Sequence, residues 1–299
     1  MSAQPARRMH VDELHTDVAL VRRLLAGQLP DWAELPIERV PSDGTDNALY
    51  RLGDDMVVRL PRIHWAVSGV ENMHEWLPRL APLLPVEVPL PLAKGRPAEG
   101  YPWPWSVYRW LDGKNPEVGC IADPDALARE VAGFVRALRG LELAGGPPAG
   151  RGGPLATRDE PTREAIAALR GTIDTDAATA AWEEALRAPA WSGPPVWVHG
   201  DLMPGNILVR CGRLAGVIDF GGVGVGDPAC DLMVAWTLLH ADARDVFRAE
   251  VDGDDDAWAR GRGWALSTGV IALPYYEETN PGLAANARFR IDQVLAELE

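Results

Sequence analysis

The pattern of apolar and polar positions changes near residue 110. Before that point, short apolar runs alternate with turn residues, which is typical of β-strands. Strands are predicted over residues 37–40, 48–52, 56–60, 86–91 and 106–111. Helices are predicted over residues 12–29 and over residues 66–80, up to Pro78. This part of the chain is therefore expected to be rich in strands.

After Gly113 the apolar spacing becomes helical. Residues 123–144 have an apolar stripe, with Asp123 in the N-cap position and Pro124 in the first turn. Further helices are predicted over residues 161–171, 176–188, 229–250, 255–272 and 282–298. The glycine-rich stretch AGGPPAGRGGP, residues 144–154, is predicted to be a mobile connection. The pattern predicts a small sheet-rich lobe, a linker near residues 109–113 and a larger helical lobe.

The stretch WVHGDLMPGNILV, residues 197–209, places polar side chains between two short predicted strands. Asp201 and Asn206 lie on the connecting loop, and Asp219 follows another short strand in GVIDFGG. Two adjacent hairpin strands would bring Asp219 beside Asn206. Their oxygen atoms suit Mg²⁺, which takes other ligands from phosphates. Asp201 is then able to accept a proton from an attacking hydroxyl, so the three residues indicate phosphoryl transfer.

The net charge limits the class of partner, and the cysteines and apolar runs indicate the cellular compartment. The net charge of -14 argues against a nucleic-acid partner and against an anionic membrane surface. The same charge is compatible with a cationic small molecule. The three cysteines are scattered without metal-like spacing and are expected to be reduced thiols. Since neither a secretory signal nor a membrane-spanning apolar run is recognisable, a cytoplasmic protein is expected.

The motif HGDxxxxN followed by IDF resembles the aminoglycoside phosphotransferase and choline kinase-like family, relatives of the protein kinases. The resemblance extends from about residue 37 to the C-terminus. It implies an α+β, two-lobed protein kinase-like fold. A small antiparallel-sheet N-lobe, residues 1–111, would clamp the nucleotide phosphates. A larger helical C-lobe, residues 112–299, would carry the catalytic loop and the acceptor pocket.

The resemblance also assigns roles to residues of the motif. Asp201 corresponds to the catalytic base, and Asn206 and Asp219 correspond to the Mg²⁺ ligands. His199 is expected to shape the loop rather than react, and Asp231 is expected to brace that loop through hydrogen bonds. In the same stretch, Asp227 and Pro228 are interpreted as the start of a helix.

The N-lobe is expected to bind the nucleotide through the loop SDGTDN, with Ser42, Gly44 and Thr45 as candidate phosphate-binding residues. The glycine signal is weak, and a plain hairpin turn has the same pattern. Family members carry a Lys or Arg on the following strand, and here it is Arg59, whose guanidinium can bridge two phosphate oxygens. A surface arginine on a strand is the alternative.

An acidic residue on the next helix is expected to orient Arg59. The usual position falls close to Met73, so Glu71 is preferred and Glu75, four residues away on the same helix face, is the alternative. A methionine at this position is a departure from the family pattern.

The stretch SVYRWLDG resembles the family's hinge, where backbone groups contact the adenine edge, here at Arg109 and Leu111. Because backbone groups make these contacts, ATP and GTP are not distinguished. The prediction is thus a Mg²⁺-dependent phosphotransferase that acts on a hydroxyl of an aminoglycoside- or other antibiotic-like molecule. The acidic residues 252–256 and 277–278 are candidates for the acceptor pocket, although a solvated turn and a packed helix end are the alternatives.

Two other classes of protein stay open. One is a catalytically silent, nucleotide-binding scaffold with the same fold. The other is a metal-dependent hydrolase with His199, Asp201 and Asp219 as ligands of Zn²⁺ or Mn²⁺, for which no second histidine lies at ligand spacing.

Overall fold

The structure is a computed structural model that describes residues 12–42 and 44–298. Residues 1–11, Asp43 and Glu299, which the predicted lobes include, lie outside the described residues. The chain divides into two compact units. The first comprises residues Met1–Pro82 and Val88–Leu111, and the second comprises Leu83–Glu87 and Asp112–Glu299. Among the described residues, no helix combines the length and the apolar character that crossing a membrane requires.

The first unit is built on an antiparallel five-stranded sheet in the order β1-β2-β3-β5-β4. Its strands are β1 (Ile37–Arg39), β2 (Asn47–Leu52), β3 (Met56–Pro61), β4 (Pro91–Gly95) and β5 (Trp105–Arg109). The β2–β3 hairpin is confirmed, with Leu52 opposite Met56 across a turn in which Gly53 has φ of 57°. A glycine adopts this left-handed conformation without steric cost.

The unit also contains two α-helices: α1 (Val18–Gln28) precedes β1, and α2 (Val67–Leu80) connects β3 to β4. The predicted start of the first helix at residue 12 is wrong, because the Asp17 side chain accepts the Leu20 amide at 2.7 Å and caps the helix there. Buried residues of α1 join one hydrophobic core with alternate residues of the strands, among them Tyr50, Val58 and Trp105. Pro78 does not end α2, which continues to Leu80.

The strand predicted over residues 86–91 does not form. The strand in this region begins at Pro91 and pairs with β5, whereas Glu87 lies in the second unit and exchanges hydrogen bonds with Ala215 and Val217. The apolar run before Pro91 therefore indicated a strand in the right region but with the wrong bounds, since the partner strand decides which residues pair.

The second unit is mostly helical. Its helices are α3 (Pro124–Arg139), α4 (Asp159–Ala168), α5 (Thr175–Arg187), α6 (Ala229–Leu232), α7 (Val234–Leu238), α8 (Ala241–Val251), α9 (Asp255–Tyr276) and α10 (Pro281–Ala296). Its short strands are β6 (Val196–Val198), β7 (Ile207–Arg210), β8 (Arg213–Val217) and β9 (Gly224–Gly226). They form two antiparallel pairs, β6 with β9 and β7 with β8. The predicted start of α3 is confirmed, because the Asp123 side chain accepts the Ala126 amide at 2.9 Å.

The single helix predicted over residues 229–250 is wrong. The segment forms α6, α7 and α8, and Leu239 adopts an extended conformation between the last two. Apolar spacing continued through this region because all three helices bury residues in the core, so the pattern contained no signal for the breaks.

Candidate active site

The candidate catalytic loop connects β6 to β7 and contains Gly200 in a left-handed conformation, with φ of 78°. A Cβ atom at Gly200 would lie 3.3 Å from the carbonyl oxygens of Arg151 and Gly222. Such contacts are tighter than ordinary packing allows, so both the conformation and the space favour glycine. The glycine of the HGD motif therefore lets the loop pass close to two other backbone segments.

Asp231 braces this loop, as predicted. Its carboxylate is 1 % exposed and accepts the backbone N–H groups of His199 at 2.7 Å and of Gly200 at 2.8 Å. Burial raises the pKa of Asp231, while the hydrogen bonds from His199 and Gly200 favour its charged form. Both oxygens thus hold the backbone immediately before Asp201.

His199 is fully buried and has a structural role, as predicted. The Asp201 amide donates to its Nδ1 at 3.2 Å, so the other nitrogen, Nε2, carries the proton and donates to the Ile218 carbonyl at 3.0 Å. The ring also packs edge-on against Phe220, with 4.7 Å between the ring centroids. Since both ring nitrogens are engaged, His199 does not offer the metal ligand that the hydrolase alternative requires.

The Asp201 carboxylate is held from two sides. Asn206 Nδ2 lies 3.3 Å from Oδ2, and Arg151 Nη1 forms an ion pair with Oδ1. The same Arg151 nitrogen donates to the Gly200 carbonyl at 3.1 Å. The Asp201 side chain nevertheless stays 31 % exposed, so it is oriented and accessible at once. A carboxylate in this state can accept a proton from a hydroxyl.

Sequence reasoning missed Arg151, because the glycine-rich segment was predicted to be mobile. The segment instead forms backbone hydrogen bonds along β9 and the residues around it, including Gly150 to Gly222 at 2.9 Å and Val225 to Pro147 at 2.8 Å. These contacts place Arg151 against the catalytic loop. A single charged residue flanked by glycines, GRGG, was the available signal.

Asn206 and Asp219 are brought together by the β7–β8 hairpin, as predicted from the strand pattern. Ile218, which precedes Asp219, donates its amide to the Asn206 carbonyl at 2.9 Å. The Asn206 Nδ2 donates to the Asp201 carbonyl at 2.8 Å, which leaves its Oδ1 as the side-chain oxygen for a cation. Asp219 has φ of 62°, a left-handed conformation that is uncommon outside glycine. This amide and carboxylate pair fits Mg²⁺, which needs few protein ligands.

Within the described residues, no three His, Cys, Asp or Glu side chains cluster closely enough to form a metal site of their own.

The predicted nucleotide-binding residues lie in the first unit. Gly44 donates its amide to Ser42 Oγ at 3.0 Å, and the Thr45 hydroxyl donates to Asp46 at 3.0 Å. Arg59 on β3 lies opposite Ser106 on β5, and its Nη1 is 3.1 Å from Met73 Sδ. These contacts describe where the residues lie, and their role in phosphate binding stays a prediction.

Glu71 contacts a residue that the sequence did not single out. Its carboxylate lies 2.5 Å from Lys94 Nζ on β4, and Lys94 is opposite Ser106 in the sheet. Arg59, Ser106 and Lys94 therefore form one row across three strands. The pairing of Glu71 with Arg59 stays a prediction. In this structure, Lys94 on β4 forms a salt bridge with Glu71.

The hinge residues lie at the end of β5 and just beyond it. The Arg109 amide donates to the Leu90 carbonyl at 2.9 Å, and the Trp110 amide donates to the Asp55 backbone carbonyl at 2.7 Å. The Arg109 carbonyl and the Leu111 amide stay predicted contacts for the nucleotide base.

Asp227 and two acids of the run at residues 252–256 have structural contacts. Asp227 accepts the Ala229 amide at 2.9 Å and also forms a buried ion pair with Arg260, with 2.8 Å between Nε and Oδ2. Asp254 caps α9 through the Ala257 amide, and Asp255 pairs with Arg248 at 2.6 Å. The acidic run at residues 252–256 therefore resembles a solvated helix start more than a pocket wall.

The comparisons with known proteins agree with this geometry. A profile described as the phosphotransferase enzyme family matches residues 37–264. The chain is 28 % identical over 163 residues to the uncharacterized protein YcbJ of Bacillus subtilis (strain 168), which is 52 % of this chain and 50 % of that protein. It is 34 % identical over 89 residues to an aminoglycoside 3'-phosphotransferase of Escherichia coli, 27 % of this chain and 32 % of that protein. The chain thus spans half or less of the length of these relatives.

The fold is similar to that of an aminoglycoside 2'-phosphotransferase-IIIa solved as its GDP complex, with a TM-score of 0.72 and 20 % identity. The match covers 95 % of this chain and 100 % of that chain. The predicted α+β, protein kinase-like fold is therefore confirmed. Since the family profile covers most of the chain, including the loop and the hairpin that carry Asp201, Asn206 and Asp219, the chain belongs to the phosphotransferase enzyme family.

Proposed function

We propose that this protein is a Mg²⁺-dependent phosphotransferase that transfers the γ-phosphate of ATP or GTP to a hydroxyl of a small molecule. The observation that carries the proposal is the state of Asp201. Its carboxylate is oriented by Arg151 and Asn206 on a loop that Asp231 braces, yet it stays accessible. A base that is fixed in this way loses little freedom when an acceptor hydroxyl binds.

In this proposal each site residue of the second unit has a separate role. Asp201 orients the acceptor hydroxyl and takes its proton as the phosphoryl group is transferred in line. Asn206 Oδ1 and the Asp219 carboxylate would hold Mg²⁺. When bound, Mg²⁺ neutralises charge on the nucleotide phosphates. His199 and Asp231 keep the loop in place and do not contact the reacting atoms.

For the first unit, residues 1–111 by the sequence-based boundary, we propose nucleotide binding. Backbone groups of Ser42, Gly44 and Thr45 and the Arg59 guanidinium would contact phosphates, with Glu71 as the candidate acid that orients Arg59. The Arg109 carbonyl and the Leu111 amide would contact the base. The GDP complex of the structural neighbour supports nucleotide binding without choosing between ATP and GTP.

Antibiotic-like molecules are the first acceptors to test. The Escherichia coli relative is named for aminoglycosides, and the net charge of -14 is compatible with a cationic acceptor. A nucleotide-dependent reaction and three free cysteines suit the cytoplasm. Whether the activity serves resistance or metabolism depends on which acceptor is found.

The test is the Asp201→Asn variant, assayed for ATP and GTP consumption with aminoglycosides, macrolides, peptide antibiotics, amino sugars and choline. Loss of a general base lowers turnover by about 10²- to 10⁴-fold. Nucleotide binding, measured by calorimetry, should be unchanged, because Asp201 is proposed to contact the acceptor. Asp242→Asn, an exposed carboxylate in the first turn of α8, is the control and should behave as the wild type.

The outcomes of this assay distinguish the remaining hypotheses. Turnover close to the wild-type rate in Asp201→Asn would show that Asp201 is not the base. Tight nucleotide binding without turnover on any acceptor would favour the silent scaffold. Absence of nucleotide binding in the wild type would contradict the proposed function as a whole.

A further inference from the structure

A short segment of the second unit, residues 113–115, runs beside β7. The Lys114 amide donates to the Val209 carbonyl at 3.0 Å, and the Val209 amide donates to the Lys114 carbonyl at 2.8 Å. A Cβ at Gly113 would lie 2.9 Å from Leu208 Cβ, so this close approach of the two backbones requires a glycine. The segment therefore pairs with the strand that follows the catalytic loop.

Asn115 ends this segment, and its side chain donates to the turn that precedes β7. Its Nδ2 lies 3.2 Å from the Pro204 carbonyl oxygen, 2.8 Å from that of Gly205 and 2.9 Å from that of Ile207. All three partners are acceptors, so only the NH₂ end of the amide can face them. The buried Pro116 comes next and restricts Asn115 to an extended backbone. One NH₂ group thus ties together three carbonyl groups of a single turn.

These carbonyl groups flank Asn206, which the proposed function assigns as a Mg²⁺ ligand. The Gly205 carbonyl belongs to the peptide group before Asn206, and the Ile207 carbonyl belongs to the second peptide group after it. Between them, the Asn206 carbonyl accepts the Ile218 amide at 2.9 Å. Three successive peptide groups around Asn206 are therefore held by hydrogen bonds, two of them by Asn115.

Packing does little to fix this turn. Gly205 is exposed, and a Cβ built there would have no atom of the described residues within 4 Å. Glycine also has more backbone freedom than any other residue. The Asn206 Nδ2 donates to the Asp201 carbonyl at 2.8 Å, so the orientation of that side chain depends on where its backbone is held. Asn115 supplies a restraint on this backbone that packing does not.

We propose that Asn115 is a positioning residue of the metal site, because it fixes the backbone from which Asn206 Oδ1 would bind Mg²⁺. The inference rests on the proposed function, since it takes Asn206 as a ligand. Replacing a residue that orients a metal ligand lowers metal affinity by about 10- to 100-fold. Asn115 is exposed, so water can replace its hydrogen bonds at little cost to stability. The loss of Asn115 should therefore affect metal binding more than folding.

Binding of Mn²⁺ to the full chain with saturating ADP tests the inference apart from turnover. Mn²⁺ prefers the same oxygen ligands as Mg²⁺, and EPR measures the Mn²⁺ that stays free. Asn115→Ala should weaken Mn²⁺ binding by about tenfold. Asn115→Gln keeps the NH₂ donor and should retain part of the affinity.

The matched control for this binding experiment is Gln28→Ala in the first unit. Gln28 is also a side-chain amide that hydrogen-bonds to backbone groups, at the Arg96 carbonyl at 2.9 Å and the Arg96 amide at 2.7 Å. Its removal should leave Mn²⁺ affinity at the wild-type value, because it contacts no part of the catalytic loop.

Hydrogen exchange in the metal-free protein measures the turn directly. In Asn115→Ala, the amides of residues 205–207 should exchange about two- to tenfold faster than in the wild type, the factor that one net hydrogen bond contributes. Exchange in α3 and the midpoint of thermal unfolding should be unchanged. Faster exchange throughout the chain would show a general loss of structure and would contradict a local role.

The Mg²⁺ dependence of turnover gives a third readout with any acceptor that the panel identifies. Asn115→Ala should raise the half-saturating Mg²⁺ concentration by about tenfold, and excess Mg²⁺ should restore most of the turnover. Turnover that is lowered equally at every Mg²⁺ concentration would contradict the inference.

Failure of this inference differs from failure of the proposed function. If the wild type binds no Mn²⁺ in the presence of ADP, the proposed function itself fails. If the wild type binds Mn²⁺ and Asn115→Ala binds it equally well, or Gln28→Ala loses as much affinity, the proposed function stands and the role of Asn115 is wrong.

Discussion

At the scale of single residues, the catalytic loop depends on how buried polar groups satisfy one another. Asp231 uses both carboxylate oxygens to accept two backbone N–H groups, from His199 and Gly200. His199 in turn uses both ring nitrogens within the same loop and hairpin. Because each group is buried, an unsatisfied donor here costs the full desolvation penalty. The loop conformation is therefore tied to two side chains that do not react.

The Asp231→Asn variant tests this dependence without changing the size of the side chain. Its NH₂ group cannot accept, so one backbone N–H loses its partner and faces another donor. The free energy of unfolding should fall by about 1–3 kcal/mol. Turnover should also fall, because the loop that positions Asp201 is loosened. Urea unfolding and steady-state kinetics measure both effects, and unchanged stability together with unchanged turnover would show that the brace is dispensable.

At the scale of secondary-structure elements, the glycine-rich segment before α4 packs closely against β9. A Cβ at Gly224 would lie 2.4 Å from the Pro147 carbonyl oxygen and 2.6 Å from the Ala149 amide nitrogen. A Cβ at Gly146 would meet the Trp197 ring at 2.7 Å. The missing side chains thus allow two backbone segments to touch, and this contact carries Arg151 to Asp201. The glycines serve close approach here rather than mobility.

Replacing Gly224 by Ala should push the segment away from β9. Overpacking of this kind costs about 1–3 kcal/mol of folding free energy. Turnover should fall as well, since Arg151 moves with the segment. The matched control is Gly133→Ala in α3, where no atom lies within 4 Å of the added Cβ. That change should stabilise the protein by about 0.5–1 kcal/mol, because alanine favours a helix interior over glycine. Thermal unfolding of both variants measures these changes in stability. Equal changes in the Gly224→Ala and Gly133→Ala variants would contradict the packing argument.

At the scale of the whole molecule, the Glu297 carboxylate links the end of α10 to three other helices of the second unit. Glu297, directly after α10, accepts hydrogen bonds from Trp236 at 2.5 Å, Arg244 at 2.6 Å and Trp258 at 3.0 Å. These partners lie on α7, α8 and α9. Burial by itself would raise the pKa of Glu297, but the three hydrogen bonds lower it below its usual 4.5. The charged form therefore stabilises the fold.

The sign of the pH dependence follows from that lowered value. The stabilisation by Glu297 is fully present above pH 4.5, its unfolded value, and is lost as the pH falls through the lower folded value. Glu297→Gln should therefore reduce the free energy of unfolding by about 2–3 kcal/mol near neutral pH, as for hydrogen bonds to a charged group.

The difference from the wild type should shrink as both proteins are taken well below pH 4.5. Urea unfolding across this pH range measures it. Glu278→Gln, an exposed carboxylate, is the control and should show no such dependence. A difference for Glu297→Gln that is constant with pH would contradict the role of the charge.

Local sequence was most informative where one element carries the chemistry. The motif WVHGDLMPGNILV and the stretch GVIDFGG indicated the strands, the hairpin and the juxtaposition of Asn206 and Asp219, since antiparallel pairing over a short turn leaves little choice of register. Asp123 and the apolar stripe after it likewise identified α3. In each case the residues that gave the signal lie close together in the chain: a short turn for the hairpin, and a cap followed by an apolar stripe for α3.

The sequence by itself thus determined the helical and sheet-rich parts, the catalytic-loop candidates and the family. Only the tertiary structure decided which residues far apart in the chain meet, such as Arg151 beside Asp201 and Lys94 beside Glu71. It also decided the bounds of β4 and the breaks between α6, α7 and α8. The physical reason is that these features depend on contacts between residues far apart in the chain, whereas periodicity and capping report only the energetics of neighbours.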